Sequence, residues 1–510
     1  MFTQINSGGI RAVRGYVVSV EADVSNGLPG FSISGQLASE VRESQERVRT
    51  ALRNSGFRFQ AKKITVNLSP AGIHKGGTAY DLPIAIAVLG AFEQADTRGL
   101  EDSLVIGELG LDGRVKPISG VLPLVDAARE YGLKRCFLPA ANAREGRMIE
   151  GISIIGVESL GQMAAMLRQP SSIKPYTSSM EGGRLEEVYD VDFRDIRGQL
   201  VLRRAAEVAV AGMHGLFMNG SAGTGKTMVA KRLPTIMPSL TREEDIEISK
   251  IYSICGLLPP DRPLLSRRPF RSPHHTITPL ALTGGGAQAR PGELSLASGG
   301  ILFLDELPHF SRGGAVDILR QPLEEHKVTV TRVHGSYEFP ADFMLVAAAN
   351  PCPCGFYPDR SRCSCSELQI QRYLDHIPRP VLERFDICVD ASPVTYEELN
   401  GTKGNGEDSA SIRRRVEMAR NIQAKRFRGT KIRFNSRMGI KETQAYCTLG
   451  QEEGTFLKTV YETKQLSARR YHKILKVART IADLDGCAFI RRKHLSEALG
   501  YGMLEERLWG

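Results

Sequence analysis

No run of about 18 apolar residues, the length a bilayer-crossing helix needs, occurs in this 510-residue sequence. A membrane-spanning helix is therefore not expected. The opening stretch, MFTQINSGGIRAVRGY, lacks the apolar core of a secretory signal, and the chain is expected in the cytoplasm. Nine cysteines are too few for so long a chain to be a disulfide scaffold. No internal repeat is visible. What is present is an ordinary soluble composition, 42% hydrophobic and 24% charged. The chain is too long for one core, and at about 100–200 residues per domain two to four domains are expected.

Charge is unevenly spread. Residues 411–510 hold 22 Lys and Arg against 10 Asp and Glu, a net of +12, which leaves −2 for the first 410. A basic C-terminal segment fits an anionic partner such as nucleic acid, or else a solvated helical face.

Along the first 170 residues, YVVSVEADV and KITVNLS alternate as strands do. SEVRESQERVRTALRNSG reads as one amphipathic helix closed by Gly56, and DLPIAIAVLGAFEQ and LPLVDAAREYG as further helices. RQPSSIKPYTSSMEGG, 168–183, is the best linker. From about 191 the apolar strands HGLFMNG, GGILFLDE and DFMLVAAAN alternate with helices, which predicts a parallel sheet covered on both faces. After a second break at NGTKGNGEDSAS, 400–411, the chain reads as mostly helical. The domains expected are 1–170, a linker 171–190, a core 191–395 and a helical unit 396–510.

The clearest chemistry lies in Gly220-Ser221-Ala222-Gly223-Thr224-Gly225-Lys226-Thr227. A strand leads in and a helix leads out, as a phosphate-binding loop requires. Glycines let successive N–H groups approach phosphate oxygens, and the new helix adds its positive end. Lys226 is placed to reach the β- and γ-phosphates of ATP and Thr227 to ligand magnesium. Ile301-Leu302-Phe303-Leu304-Asp305-Glu306 supplies the acids at a strand tip: Asp305 to hold magnesium through water, Glu306 to polarise the attacking water. FMLVAAAN ends in Asn350, which either positions that water or simply turns the chain before Pro351.

Together these segments resemble an AAA+ ATPase. VLERFD, 381–386, is similar to the arginine-finger segment of the magnesium chelatase and MCM helicase branch, which implies that Arg384 acts in trans on a neighbour's γ-phosphate. LSARRY, 466–471, resembles that branch's second sensor, which implies Arg469 at the nucleotide. Either arginine read alone is also an ordinary surface charge. FRSPHHTIT, GGGAQARPGELSLASGGILFLDELPHF, NPCPCG and ARTIADLDG look like the ComM/YifB family of magnesium chelatase-like bacterial ATPases, over essentially the whole chain. The resemblance implies a hexameric DNA helicase that promotes branch migration in natural transformation. Its partners are branched or single-stranded DNA and further copies of the chain, with recombination proteins as additional candidates. A protein-remodelling ATPase and a magnesium chelatase-type subunit are the alternatives.

SPAGIHKGGTAYDLPIAIAVL, 69–89, and GELGLDGRVKPISGVLPLVDAA, 107–128, resemble the Lon protease domain and the similar domain of RadA. A Lon-type protease needs a serine and a lysine. The matching positions hold Ala79 and Leu122, and neither Lys75 nor Lys116 sits at the motif's lysine position. The resemblance thus implies a protease-dead fold reused for binding or assembly. The fold class that follows is α/β: a mixed α/β Lon-protease-like N-terminal domain, an AAA+ P-loop core with a parallel sheet, and a C-terminal helical lid.

Three features stay open. Cys352, Cys354, Cys363 and Cys365 form C-x-C, eight residues, C-x-C. They suit structural zinc, with unliganded thiols or a redox pair as alternatives. His274 and His275 lack an evident third metal ligand, which favours a loop or subunit contact. Arg290 in GGGAQARPGE is either a DNA phosphate contact in a pore loop or part of a glycine hinge.

Overall fold

The computed structural model describes residues 1–58, 60–177, 189–286, 289–332, 335–400, 406–502 and 504. Residues 178–188 of the expected linker, 287–288 of GGGAQARPGE and 401–405 of the second break lie outside them.

The alternation in YVVSVEADV becomes strand Arg14–Ser25, whose Val18, Val20, Ala22 and Val24 face the core. Seven strands form the first sheet, in the order Gly30–Ser34, Lys63–Ser69, Arg14–Ser25, Phe2–Arg11, Ser103–Val105, Arg135–Pro139, Ser153–Val157. The sheet is mixed. Arg14–Ser25 pairs antiparallel with both neighbours, Ile5 standing opposite Val20, and the remaining pairs are parallel. Helix Asp81–Ala91 is buried on nearly every side, as an apolar helix without a polar face must be. Its first residue, Asp81, is held by Arg47 Nε at 2.8 Å and accepts the Leu109 N–H at 3.2 Å. The helix expected over SEVRESQERVRTALRNSG is split into Ser39–Arg42 and Ser44–Asn54, joined through Glu43, and Gly56 follows in the left-handed region at φ +83°.

The second sheet is parallel throughout, in the order Phe270–Arg271, Ile301–Leu304, Met344–Ala349, Leu216–Asn219, Ile387–Asp390. The three strands read as continuous apolar runs are buried at every position. The strand order reverses at Leu216–Asn219. In open α/β sheets the crevice beyond the carboxyl end of such a strand is the ligand site.

Beyond Ile387–Asp390 the described chain is mainly helical. Ser409–Arg426 and Ala468–Leu484 share one apolar cluster with Leu202, Val208 and the central strand. Polar clasps fix this lid in place. Buried His214, just before the central strand, lies 2.8 Å from both Asp386 Oδ2 and Thr480 Oγ1, and Gln423 donates to the Ala211 carbonyl at 2.9 Å.

Helix Val121–Glu130 of the first domain packs against helix Arg242–Ile254 of the second. Leu122 and Leu124 lie in one apolar cluster with Leu264, and Ile246 and Leu258 pack against that cluster. Around it Lys250 Nζ pairs with Asp126 Oδ2 at 2.6 Å, Arg242 donates to the Met148 carbonyl at 2.9 Å, and Ser253 Oγ donates to Glu145. Burial pushes the Glu145 carboxyl up, against the pull of Ser253 and Asn142.

Candidate functional site

The phosphate loop leaves the carboxyl end of Leu216–Asn219 and turns into helix Lys226–Ile236. Gly223 and Gly225 adopt φ of +82° and +86°, a region costly for any side chain with a Cβ. At Gly220 the constraint is space, since a Cβ would meet the Ala391 carbonyl at 2.6 Å. Lys226 is 8% exposed; its ammonium donates to the Gly220 carbonyl, to Ser221 O at 2.8 Å and to Asn350 Oδ1 at 3.3 Å. Burial lowers its pKa to about 8, although Asp305 and Glu306 pull the other way. The lysine is thus held in the loop by three neutral oxygens.

Thr227 Oγ1 donates to Asp305 Oδ2 at 2.7 Å. A hydroxyl and a carboxylate brought together beside a phosphate loop form the hard oxygen set that magnesium takes. The sequence-matched residues Gly220 to Thr227, Asp305, Glu306 and Asn350 are therefore gathered at one end of one sheet. Glu306 follows Asp305 at φ +54°, and its side chain is 53% exposed. Three side chains beside it were not assigned there from sequence. His275 Nδ1 lies 3.9 Å from Glu306 Oε2, and the His275 ring stands 5.7 Å from that of His309, which meets Tyr373 edge-on at 6.2 Å. Burial pushes the Tyr373 hydroxyl up to about 12, against a bond from the Asn350 backbone. RSPHH is recognisable in the sequence, but nothing there placed it beside Glu306. It arrives because Phe270–Arg271 pairs with Ile301–Leu304.

Arg384 and Arg469 do not join this group. Both line a cavity of about 610 Å³ whose walls include Gly215, Arg437, Lys473 and Lys476, with no residue of the loop 220–227. Gly215 precedes the central strand, so the cavity lies toward the opposite end of that strand from the loop. The resemblance implied that Arg469 reaches the nucleotide; within this chain it sits with Arg384 instead. The reason is local: Lys473, one turn along the Ala468–Leu484 helix, donates to the Phe385 carbonyl at 2.8 Å and ties it there. Arg384 is ion-paired with Glu324, and Arg469 with Glu383. Burial lowers the Arg384 pKa, and its Nε is buried with no partner among the described residues.

The four cysteines of the loop after Asn350 converge, with none in a disulfide. The sulfurs of Cys352, Cys354 and Cys363 lie 3.3–3.8 Å apart, and all four ligand atoms, Cys365 included, fall within 4.8 Å of one another. A tetrahedral ion with metal–sulfur bonds of about 2.3 Å spaces its ligands by about 3.8 Å, so the cluster fits one. The Phe356 N–H and the neighbouring thiols hold Cys354 down to about 6, while burial pushes Cys363 up to about 11. Helix Glu367–Leu374, which carries Tyr373, begins two residues after Cys365.

In the first domain, Ala79 packs against the cluster that contains Leu122, and Lys75 is buried with its ammonium on the Pro70 carbonyl. Lys116 is exposed on the short strand Val115–Lys116. The Arg290–Pro291 pair forms a two-rung ladder with Gly284–Gly285.

Family models match in three stretches: magnesium chelatase, subunit ChlI, over 192–399; subunit ChlI of Mg-chelatase over 20–142; and the subunit ChlI C-terminal model over 406–502. Competence protein ComM of Haemophilus influenzae is 38% identical over 493 residues, covering 96% of this chain and 95% of the relative. YifB of Escherichia coli is 37% identical over 492 residues, 96% and 95% of the two chains. Lon protease 2 of Bacillus subtilis is 28% identical over 184 residues, 34% of this chain and 33% of the protease. With a phosphate loop, a paired acid and a Lon-like first domain in one chain, and near-full-length likeness to ComM and YifB, the protein belongs to the ComM/YifB family of magnesium chelatase-like AAA+ ATPases with a Lon-like N-terminal domain.

Proposed function

We propose that this chain assembles into a ring, six copies in number, that hydrolyses ATP to drive DNA helicase action and branch migration of recombination intermediates, as in natural transformation. One observation carries the ring: the division of the site. The loop, Asp305, Glu306 and Asn350 lie at one end of the sheet, and Arg384 and Arg469 line a cavity toward the other. A subunit that holds these two halves apart completes its site with a second copy.

In that assembly the backbone N–H groups of Gly220 to Thr227 cradle phosphates, and Lys226 leaves its carbonyl partners for phosphate oxygens. Thr227 and Asp305 hold magnesium. Bound magnesium supplies positive charge against the phosphates. Glu306 takes the proton of the attacking water and Asn350 orients that water. Arg384 and Arg469 of one subunit offset the charge that builds on the nucleotide held by the next.

The competence name of the H. influenzae relative and the net +12 of residues 411–510 support DNA as the partner. A cytoplasmic setting fits that partner. Functional units of 1–170, 191–395 and 396–510, with 171–190 as linker, suit the three family matches. Zinc on Cys352, Cys354, Cys363 and Cys365 would brace the loop after Asn350 and take no part in hydrolysis.

The test is ATP-driven movement of a fluorescently labelled four-way junction, comparing wild type with Glu306→Gln. Separation of the arms by wild type, with binding but no movement by the variant, supports the reading. ATP hydrolysis by wild type with an unmoved junction would overturn the DNA role in favour of a protein-remodelling or magnesium chelatase-type client.

A further inference from the structure

Glu306 has an unusual setting. Its backbone is in the left-handed region at φ +54°, which a branched or long side chain enters only when its surroundings hold it there. Its side chain is 53% exposed, and its carboxylate makes one ion-pair contact among the described residues, to His275 Nδ1 at 3.9 Å. His275 is itself closely framed. Its ring lies 4.1 Å from that of His274, whose Nδ1 is 2.8 Å from Thr276 Oγ1, and meets Phe310 edge-on at 6.5 Å. On its other side His309 is fixed to the acid's own turn, since the His309 N–H donates to the Glu306 carbonyl at 2.8 Å. Tyr373 closes the row behind His309.

We propose that His275 is a positioning residue for the hydrolytic step, tethering one oxygen of Glu306 so that the other is aimed at the attacking water. The proposal rests on the reading of Glu306 as the base. A carboxylate on a solvent-exposed side chain samples many rotamers, and only those with an oxygen facing the water contribute to proton transfer. An imidazole N–H directed at the second oxygen removes that freedom, just as a carboxylate orients the histidine of a catalytic triad. At 3.9 Å the pair is longer than a hydrogen bond. Such contacts are commonly long in ligand-free sites and shorten when substrate binds. The ring row of His274, His309 and Phe310 limits where His275 can go, so the shortening is made by the glutamate.

The experiment measures steady-state ATPase and binding of a fluorescent ATP analogue for wild type, His275→Phe, His275→Gln and Glu306→Gln. Phe keeps a flat ring in the row but has no N–H; Gln restores a donor. Loss of the tether is expected to lower kcat about tenfold in the Phe variant, in the range seen when a supporting partner of a reacting group is removed. KM and analogue affinity should stay within about twofold, because a contact felt only in the chemical step does not alter ground-state binding. Gln should recover kcat to within about threefold of wild type. If Phe lowers the melting temperature by more than about 2 °C, His275→Ala, with no ring to seat, takes its place. A Phe or Ala variant with kcat at or above wild type, beside an inactive Glu306→Gln, overturns the proposal and leaves the base in its role. Failure of Gln to improve on Phe also overturns it, because the effect is then one of packing. A fully active Glu306→Gln removes the base reading itself, and the proposal with it.

Discussion

Thr227 and Asp305 stand 2.7 Å apart, hydroxyl to carboxylate, although they leave strands that are not neighbours in the sheet. The bond joins the start of the Lys226–Ile236 helix to the tip of Ile301–Leu304, across Met344–Ala349. Removing the carboxylate by Asp305→Asn should weaken magnesium binding and lower ATPase on the order of 100-fold, as for the loss of one preorganised electrostatic partner. A magnesium titration of ATPase, with its midpoint displaced to higher concentration, checks this. An unchanged midpoint would place the ion elsewhere.

Lys226 should make nucleotide binding weaken as pH rises through about 8. In the ligand-free chain burial lowers its pKa from 10.5 to about 8. The folded state then binds fewer protons than the unfolded chain between these values. Stability of the ligand-free protein should therefore rise as pH climbs from about 8 toward 10.5, and the rise should vanish in Lys226→Met. Phosphate demands the charged form, so binding ATP at pH 8 should take up about half a proton, and much less at pH 7. Calorimetry in two buffers of different ionisation enthalpy measures the uptake directly.

Arg384 should act on a neighbour. Arg384→Ala is expected to bind nucleotide normally yet lose on the order of 1000-fold in ATPase, the lower range for an arginine finger. Mixed with an equally inactive Lys226→Ala protein, it should regain activity, because some interfaces then pair an intact loop with an intact arginine. Arg469→Ala should complement in the same way, since the two arginines share one cavity. Mixtures as inactive as their components would mean that each chain hydrolyses ATP alone.

The cysteine cluster predicts one zinc per chain by elemental analysis. Strong chelators should release it, and alkylation of Cys352, Cys354, Cys363 and Cys365 should quicken on release. Loss of the ion frees the loop that leads to Tyr373, so the melting temperature should fall by several degrees. Metal-free protein whose thiols already react at the same rate with and without chelator would leave the cluster as unliganded thiols.

The strands, the loop and the acid pair were legible in the sequence because each depends on local pattern. Ile301–Leu304 and Met344–Ala349 are apolar throughout and Leu216–Asn219 is apolar up to its last residue, as strands buried on both faces must nearly be. His275 and Tyr373 were not legible as site residues. His275 comes near Glu306 through a strand pairing between segments some 30 residues apart, and Tyr373 meets His309 from the helix that follows the four cysteines. The position of Arg469 beside Arg384 was not legible either, because it depends on how the lid helix is fastened by Lys473 and Thr480.

Helix Val121–Glu130 holds Leu122, at the position matching the lysine of a Lon-type protease, and one turn later Asp126, which pairs with Lys250 of the second domain. Leu122 is fully buried in the cluster against which Ile246 and Leu258 pack. An ammonium returned to that position would be stranded without a partner at a penalty of several kcal/mol, and would prise the two domains apart as it sought water. The Leu122 face of this helix is therefore a seam between the two domains, closed to anything larger than the side chains that fill it.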